Sequence, residues 1–274
     1  MPPTYLHTLT HFTHFLTAYI HTLLYLRALY PPASFLASRF HNTPIHQSRH
    51  PAVCTWIRDA VAAVRDELLS GTVSRIAIVI FSASVRGTGS VKIMERFVLD
   101  VSQFPVVEKG ERNIEVEWES DASSSSVEGR KGKGKAKQKP KPLDADVDVD
   151  VSENFRAALI TLTTRCAQLA PLPPECSFSV AMELKDDAEV DPPVRHPQPW
   201  IPVQPSLQKT GRKGRVDEEG KRAEGEDLGG ARVTPIRSVE AGVFRFETWI
   251  EEGKAKFEID EGDTEKSSFG SSVG

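Results

Sequence analysis

Four of the eight histidines in this 274-residue chain lie close together near its N-terminus, where imidazole rings could bind a metal. They are His7, His11, His14 and His21, within the stretch HTLTHFTHFLTAYIH. On a helix of about 100° per residue they fall within about 80° of one another. A zinc site needs ligands that converge from several directions, commonly with cysteine or carboxylate among them. One helical row does not supply these, so we expect a solvated polar face without a metal.

The sequence also lacks the motifs of common catalytic sites. It contains no GxSxG, no HExxH and no GxGxxG after a strand. Its three cysteines, Cys54, Cys166 and Cys176, are widely spaced and form no CxxC, which favours a reducing, intracellular compartment. Cys54 follows His50 closely, but the helical pattern around it is typical of a small buried thiol. We therefore expect neither enzymatic activity nor a cofactor.

A basic run, RKGKGKAKQKPKP at residues 130–142, carries seven Lys or Arg and no acidic residue. Such a run is typical of a solvated linker, of a nuclear-import signal, or of a segment that contacts nucleic-acid phosphates. It has no aromatic residue on which a base could stack, so we expect no specific nucleic-acid binding. The sequence leaves these three interpretations open.

The composition indicates one domain with low-complexity insertions. The net charge is −4 and 39% of the residues are hydrophobic. Residues 110–150, 205–231 and 253–274 have too few large apolar side chains to offset the entropy of ordering, so we expect them to be disordered. The remainder of 1–252 has the size of one domain. Because Arg27 is the first charged residue apart from histidine, and polar residues interrupt the early hydrophobic stretch, we expect neither a secretory leader nor a membrane span.

Helical periodicity predicts three helices, at about 4–30, 51–70 and 152–170. Pro51 suits a first helical position and Gly71 suits a C-terminal cap. Ser152 is a reasonable N-cap for the third helix. The residues between the first two helices are interpreted as a loop.

Four strands are predicted, at 75–81, 90–103, 176–184 and in the last part of 232–252. The first is a continuous apolar run, as expected for a strand that is covered on both faces, whereas the others alternate. The first two strands form a plausible hairpin. The order of elements predicts an α+β domain in which three helices pack on a mainly antiparallel sheet.

A series of motifs in this order resembles HORMA-domain proteins. The first helix ends in YLRALYP, Asn42, Pro44 and Ile45 match an N-x-P-[IV] motif, and HP at 50–51 opens the second helix. The later matching stretches are PPECSFSV (173–180), PWI (199–201) and RVTPIRSVEAGVFRFETWIEE (232–252). Within the family, the chain resembles the accessory, non-catalytic subunit of translesion DNA polymerase zeta. The sister interpretation is a spindle-checkpoint or chromosome-axis HORMA protein.

The resemblance implies peptide binding in the nucleus rather than catalysis. In this family a C-terminal segment, the safety belt, wraps around an extended partner peptide that pairs as an added strand. The partners implied are a Pro-containing peptide of the polymerase zeta catalytic subunit and a scaffold Y-family translesion polymerase. The positions that correspond to a Pro-recognising surface are Trp56, Trp200, Val233, Pro235, Glu247 and Trp249.

The resemblance also implies a homodimer or HORMA heterodimer contact through the third helix. Arg156, Ile160 and Ala167 correspond to this contact. A glutamate and a lysine that take part in it elsewhere in the family are replaced here by Ala28 and Ala37. The loss of these two charges weakens the expectation of a dimer.

Overall fold

The computed structural model describes residues 4–82, 92–114, 149–185 and 232–257. Its helices are α1 (Tyr5–Leu26), α2 (Pro51–Ser70) and α3 (Val149–Cys166), with a 3-10 turn at Pro32–Ser34. Its strands are β1 (Phe35–Phe40), β2 (Thr43–Ser48), β3 (Val73–Ser82), β4 (Lys92–Asp100), β5 (Cys176–Leu184), β6 (Arg232–Ala241) and β7 (Phe244–Glu252). None of the helices in these ranges has the length and apolar content needed to span a membrane.

The five longer strands form one antiparallel sheet in the order β5-β3-β4-β7-β6. β3 and β4 pair as the predicted hairpin, although their connecting residues lie outside the described ranges. The three helices pack on the face that carries Ile78, Phe97 and Phe246. The predicted α+β class is therefore confirmed.

The core is centred on α1, which is buried around most of its circumference. Phe15 stacks on Phe155 of α3 with ring centroids 4.6 Å apart. Phe12 meets Phe246 of β7 edge to face at 5.3 Å. Aromatic pairs of these geometries are favourable beyond the area that they bury. The sheet, α3 and α1 therefore share one aromatic cluster.

Two helix ends are set by capping residues that are adjacent to the helix in sequence. Thr4 caps α1, because its hydroxyl accepts a hydrogen bond from the His7 N–H at 3.2 Å, but α1 ends at Leu26 rather than at the predicted Tyr30. Gly71 ends α2 with a φ of 73°, and a β-carbon there would approach Val106 to 2.7 Å. Only glycine satisfies both demands without strain.

The residues between α1 and α2 form a hairpin, β1–β2, where the sequence analysis expected a loop. Its two-residue turn consists of His41 and Asn42, with φ of 43° and 58°. Positive φ at both positions gives the turn that matches the twist of the flanking strands. The pattern was missed because each strand is short and because Pro44 argues against a strand.

Ser152 is not the N-cap of α3, since the helix already includes Val149. The Ser152 hydroxyl instead lies 2.9 Å from Nδ1 of His41 in the hairpin turn. A tertiary contact therefore replaces the predicted local capping role. The helix also ends at Cys166, short of the predicted residue 170.

Candidate functional site

The two edges of the five-stranded sheet, β5 and β6, are the places where an extended peptide could add a strand. Among the described strands, β5 pairs only with β3 and β6 only with β7. An unpaired edge presents a row of backbone donors and acceptors to a partner. The predicted peptide-binding residues divide between these two edges.

Trp56 lies at the β5 edge. The α2 helix presents it to Phe178 of β5, and the two rings meet edge to face with centroids 4.9 Å apart. Both side chains are half-buried and pack against the core. A rigid aromatic pair beside a strand edge that is open within the described residues can pack on proline rings of an added peptide. Phe178 lies in the predicted strand 176–184, but no local signal in the sequence linked it to Trp56.

The other described members of the predicted set lie together at the opposite edge. Pro235 of β6 is directly across from Trp249 of β7, and Val233 is across from Glu251. Glu247 lies two residues before Trp249 on the same face of β7, and both Glu247 and Val233 are exposed. This face is the one opposite the helices, because Phe246, Thr248 and Ile250 occupy the helix-facing positions. The four residues form one continuous surface, the β6–β7 surface.

Charged side chains surround Trp249 on this surface. The Arg75 guanidinium carbon lies 5.7 Å from the centre of the Trp249 ring, within the range of a cation–π contact. The indole N–H donates to Glu251 Oε1 at 3.0 Å. Arg75 also donates to Asp100 Oδ2 at 3.1 Å. These contacts hold the indole in one orientation, so the surface is preorganised, and sequence spacing gave no indication of Arg75.

The structure therefore separates Trp56 from Trp249. β3 and β4 lie between β5 and β7, which at about 4.8 Å per strand puts β5 and β7 about 14 Å apart. Trp56 is on the helical face, whereas Trp249 is on the other face. Trp200, the remaining member of the predicted set, lies outside the described residues.

The residues predicted for a dimer contact lie on the outer side of α3 or, for Ala167, directly after its end. Ile160 is 48% exposed, Ala167 is exposed and Arg156 pairs with Glu153 at 3.1 Å. Arg156 and Ile160 also border a shallow cavity shared with the β1–β2 turn. They share a surface, which remains a candidate interface.

The histidine stripe of α1 is not the solvated face that its position on the helical wheel predicted. His21 is 4% exposed and His11 is 8% exposed, because β2 and α2 cover this side of α1. Nδ1 of His21 accepts a hydrogen bond from the Ser48 N–H at 3.3 Å. Burial lowers the pKa of His21 from its usual value, which favours the neutral ring. Within the described residues, no three His, Cys, Asp or Glu side chains are arranged to hold a metal ion.

The thiols are poorly suited to nucleophilic chemistry. Burial raises the pKa of Cys166 to about 12 and that of Cys176 to about 11, so both stay protonated at neutral pH. The Cys54 thiol donates to the Ser48 carbonyl at 3.0 Å.

A buried ionic cluster joins the end of α1, the centre of β4 and the residues after β7. Arg27 donates to both carboxylate oxygens of Glu95, at 2.8 and 2.7 Å. Lys256 donates to Glu95 at 2.5 Å and to Glu252 at 2.6 Å. All four side chains are less than 9% exposed, and their charges sum to zero. Lys256 falls within the tail that was predicted to be disordered from residue 253, so the ordered chain continues at least to residue 257.

A comparison with protein families identifies the fold as a whole. The model of the HORMA domain matches residues 9–206, which is more than half of the chain. The chain belongs to the HORMA-domain family. Two solved structures show the same fold. One is a chain of the mitotic checkpoint complex (TM-score 0.56, 15% identity, 89% of this chain and 97% of that one), and the other is C. elegans HTP-2 bound to the HIM-3 closure motif (TM-score 0.51, 11% identity, 92% of each).

Relatives within the HORMA family are similar over a shorter region. The DNA polymerase zeta processivity subunit of Schizosaccharomyces pombe is 35% identical over 96 residues, which cover 35% of this chain and 42% of that protein. The human mitotic spindle assembly checkpoint protein MAD2B is 29% identical over 93 residues, covering 34% of this chain and 41% of that protein. The matched region thus spans about two fifths of these relatives.

Proposed function

We propose that this HORMA protein is a non-catalytic adaptor subunit of a translesion DNA polymerase of the zeta type. It captures a Pro-containing peptide of the catalytic subunit and bridges it to a scaffold polymerase, in the nucleus, in support of lesion bypass. The observation that carries the proposal is the β5 edge beside Trp56 and Phe178, which no other described strand pairs with. Relatives named as polymerase zeta processivity subunits support the choice of partner.

The β5 edge is the proposed site of the catalytic-subunit peptide. An added strand gains main-chain hydrogen bonds along β5, and the Trp56–Phe178 pair supplies an apolar wall for proline. Trp200, which the resemblance assigns to the same function, is proposed to contribute to peptide binding as well. The HTP-2 structures with bound closure motifs support peptide capture by this fold.

The β6–β7 surface is the proposed contact for the scaffold polymerase. Val233 is 54% exposed, Pro235 and Glu247 are exposed, and Trp249 is fixed beneath them. A preorganised aromatic residue with an exposed apolar and charged rim has the make-up of an interface centre. Two surfaces on different edges allow one subunit to hold both partners simultaneously.

Titration calorimetry with a Pro-containing peptide of the catalytic subunit tests the proposal. Truncation of a central aromatic anchor commonly costs about 2–4 kcal/mol, so Trp56→Ala should weaken binding by roughly 30- to 1000-fold. Trp200→Ala should have an effect of the same order. Arg156→Ala is the matched control and should bind normally, because α3 lies on a different surface. Unchanged affinity in both tryptophan variants, with circular dichroism showing folded protein, would refute the proposed groove.

A checkpoint or chromosome-axis adaptor is the second candidate, because MAD2B and the MAD2A of Dictyostelium discoideum are also relatives. The two candidates differ in the peptide that they bind. A pulldown from nuclear extract with mass spectrometry distinguishes them, since recovery of checkpoint proteins without polymerase subunits favours the second.

A further inference from the structure

An open cleft of about 430 Å³ lies between α1 and α2 on the helical side of the molecule. It is separate from the β5 edge and from the β6–β7 surface, and neither the resemblance nor the proposed function accounts for it. The residues that line it are mostly polar or basic, and none is acidic. They are Thr13, His14, Thr17, His21, Gln47, Cys54, Thr55, Arg58, Val61, Ala62 and Arg65.

Two arginines give the cleft a positive charge. Arg58 and Arg65 are seven residues apart on α2, so they share one face with a rise of about 10.5 Å between them. Arg65 is half-buried and makes no ion pair within the described part of the chain. Arg58 contacts Asp59 at 3.3 Å, but its side chain is 73% exposed, and exposed pairs of this kind are weak. Both guanidinium groups are thus available to an anion.

His21 adds a buried donor to the cleft. Because its Nδ1 accepts a hydrogen bond from the Ser48 N–H, the proton of the neutral ring is on Nε2. Nε2 makes no hydrogen bond within the described residues, although the side chain is only 4% exposed. The lowered pKa of His21 keeps this donor uncharged at neutral pH. An imidazole N–H that lines the cleft and makes no hydrogen bond within the described residues can donate to an anion there.

We propose that the cleft between α1 and α2 binds the phosphate group of a phosphorylated serine or threonine on a partner peptide. A phosphorylated side chain carries a charge of about −1.5 to −2 at neutral pH, which the two arginines balance. An aspartate or glutamate carries only one charge and would leave one arginine unmatched. Bidentate contact with phosphate is also the geometry that arginine favours.

A peptide suits this cleft better than a nucleic-acid strand. Each phosphate of a nucleic-acid backbone carries a single negative charge, and sugars flank it on both sides. A phosphoserine places its phosphate at the end of a single side chain, which can reach the buried His21. The exposed Thr55 hydroxyl, near the positive N-terminal end of α2, provides a further donor at the entrance.

The test uses the full ¹⁵N-labelled chain and the probe N-acetyl-O-phosphoserine N-methylamide, followed by NMR. We expect saturable amide shifts around Thr17, His21 and Thr55. The unphosphorylated serine probe should cause none of them. Arg65→Gln should weaken binding by about tenfold or more, because a charge-assisted hydrogen bond is lost. Arg39→Gln, an exposed arginine on the β1–β2 hairpin, is the matched control and should bind as the wild type does.

Three results would overturn the proposal. The first is the absence of saturable shifts, or equal shifts with the unphosphorylated probe. The second is an Arg65→Gln variant that binds as tightly as Arg39→Gln. The third is a response to inorganic phosphate or to a single-stranded DNA dodecamer that is not matched by the phosphoserine probe, which would assign the cleft to a free anion or to nucleic acid.

Discussion

His21 contributes to the stability of the fold in its uncharged form. Its Nδ1 accepts the Ser48 N–H, and the side chain is almost fully buried. Burial lowers its pKa in the folded state, whereas in the unfolded chain the pKa returns to about 6.5. Below that pH the unfolded state therefore binds the proton more readily. The stability that this group contributes is complete above the unfolded pKa and is lost as the pH falls toward the folded pKa.

We expect the wild-type protein to lose stability relative to His21→Gln as the pH falls below about 6.5, by up to about 1.4 kcal/mol per pH unit. Glutamine cannot be protonated in this range, and its amide oxygen can still accept the Ser48 N–H. Urea denaturation between pH 5 and 8 measures the difference. His50→Gln, at an exposed position, should keep the wild-type pH dependence. A parallel pH dependence of wild type and His21→Gln would contradict the assignment.

The elements of the fold are connected by contacts that differ in how far they reach along the chain. The periodicity of α1, α2 and β3 is local, so the sequence predicted these elements correctly. The burial of His21 and the contact of Ser152 with His41 both depend on the β1–β2 hairpin. His21 and Ser152 are each more than 20 residues away in sequence from the hairpin residue that they contact, so no local pattern predicts this packing. The predicted peptide-binding residues are divided between the β5 edge and the β6–β7 surface because of the order of the strands in the sheet. Sequence motifs do not encode that order.

The buried ionic cluster at the end of β7 also depends on contacts between residues that are distant in sequence. Glu95 interrupts the apolar positions of β4 on the helix-facing side, where a carboxylate is costly unless it is paired. Arg27 and Lys256, from opposite ends of the chain, provide the compensating charges. The residues after β7 are therefore part of the folded domain, although their composition resembles a solvated tail.

Lys256→Ala should destabilise the protein by about 3–5 kcal/mol, because it leaves the buried Glu95 and Glu252 carboxylates with only Arg27 to balance them. Lys254→Ala is the matched control two residues earlier. Lys254 is exposed, so its replacement should change the free energy of unfolding by less than about 1 kcal/mol. Urea denaturation of both variants measures the effect. Equal, small changes in the free energy of unfolding for both variants would mean that the ion pairs of Lys256 are not formed in solution.

At the scale of the whole molecule, residues 117–146 of the predicted insertion are proposed to be dispensable for the fold, whereas Arg112 contacts the domain and α3 already begins at Val149. Residues 117–146 have almost no large apolar side chains, so they gain little by packing. Replacement of residues 117–146 by a Gly–Ser linker of about 20 residues should leave the melting temperature within about 2 °C of the wild type. The same change removes the basic run at 130–142 and should lower nuclear accumulation of a fluorescent fusion. A large drop in melting temperature would show that the insertion contributes to the folded domain.

The two proposed partner surfaces should act independently, because they lie on different faces and about 14 Å apart across the sheet. Mutational effects at such distances usually add within about 0.5 kcal/mol. Trp56→Ala should weaken binding of the catalytic-subunit peptide and spare the scaffold polymerase, whereas Trp249→Ala should do the reverse. The double variant should show the sum of the two losses of binding free energy. Calorimetry with each partner separately, and with both together, measures the loss of binding free energy that each variant causes for each partner.

Arg156→Ala should bind both partners normally and so controls for a general loss of structure. If Trp249→Ala weakened the peptide as strongly as Trp56→Ala does, the two tryptophans would belong to one groove, as their grouping by resemblance implied. The strand order would then have to differ in the complex, since β3 and β4 separate the two residues in the free protein. Hydrogen exchange of the β6–β7 backbone amides, with and without the peptide, would detect such a rearrangement, because pairing of these strands with each other and with β4 protects their amides.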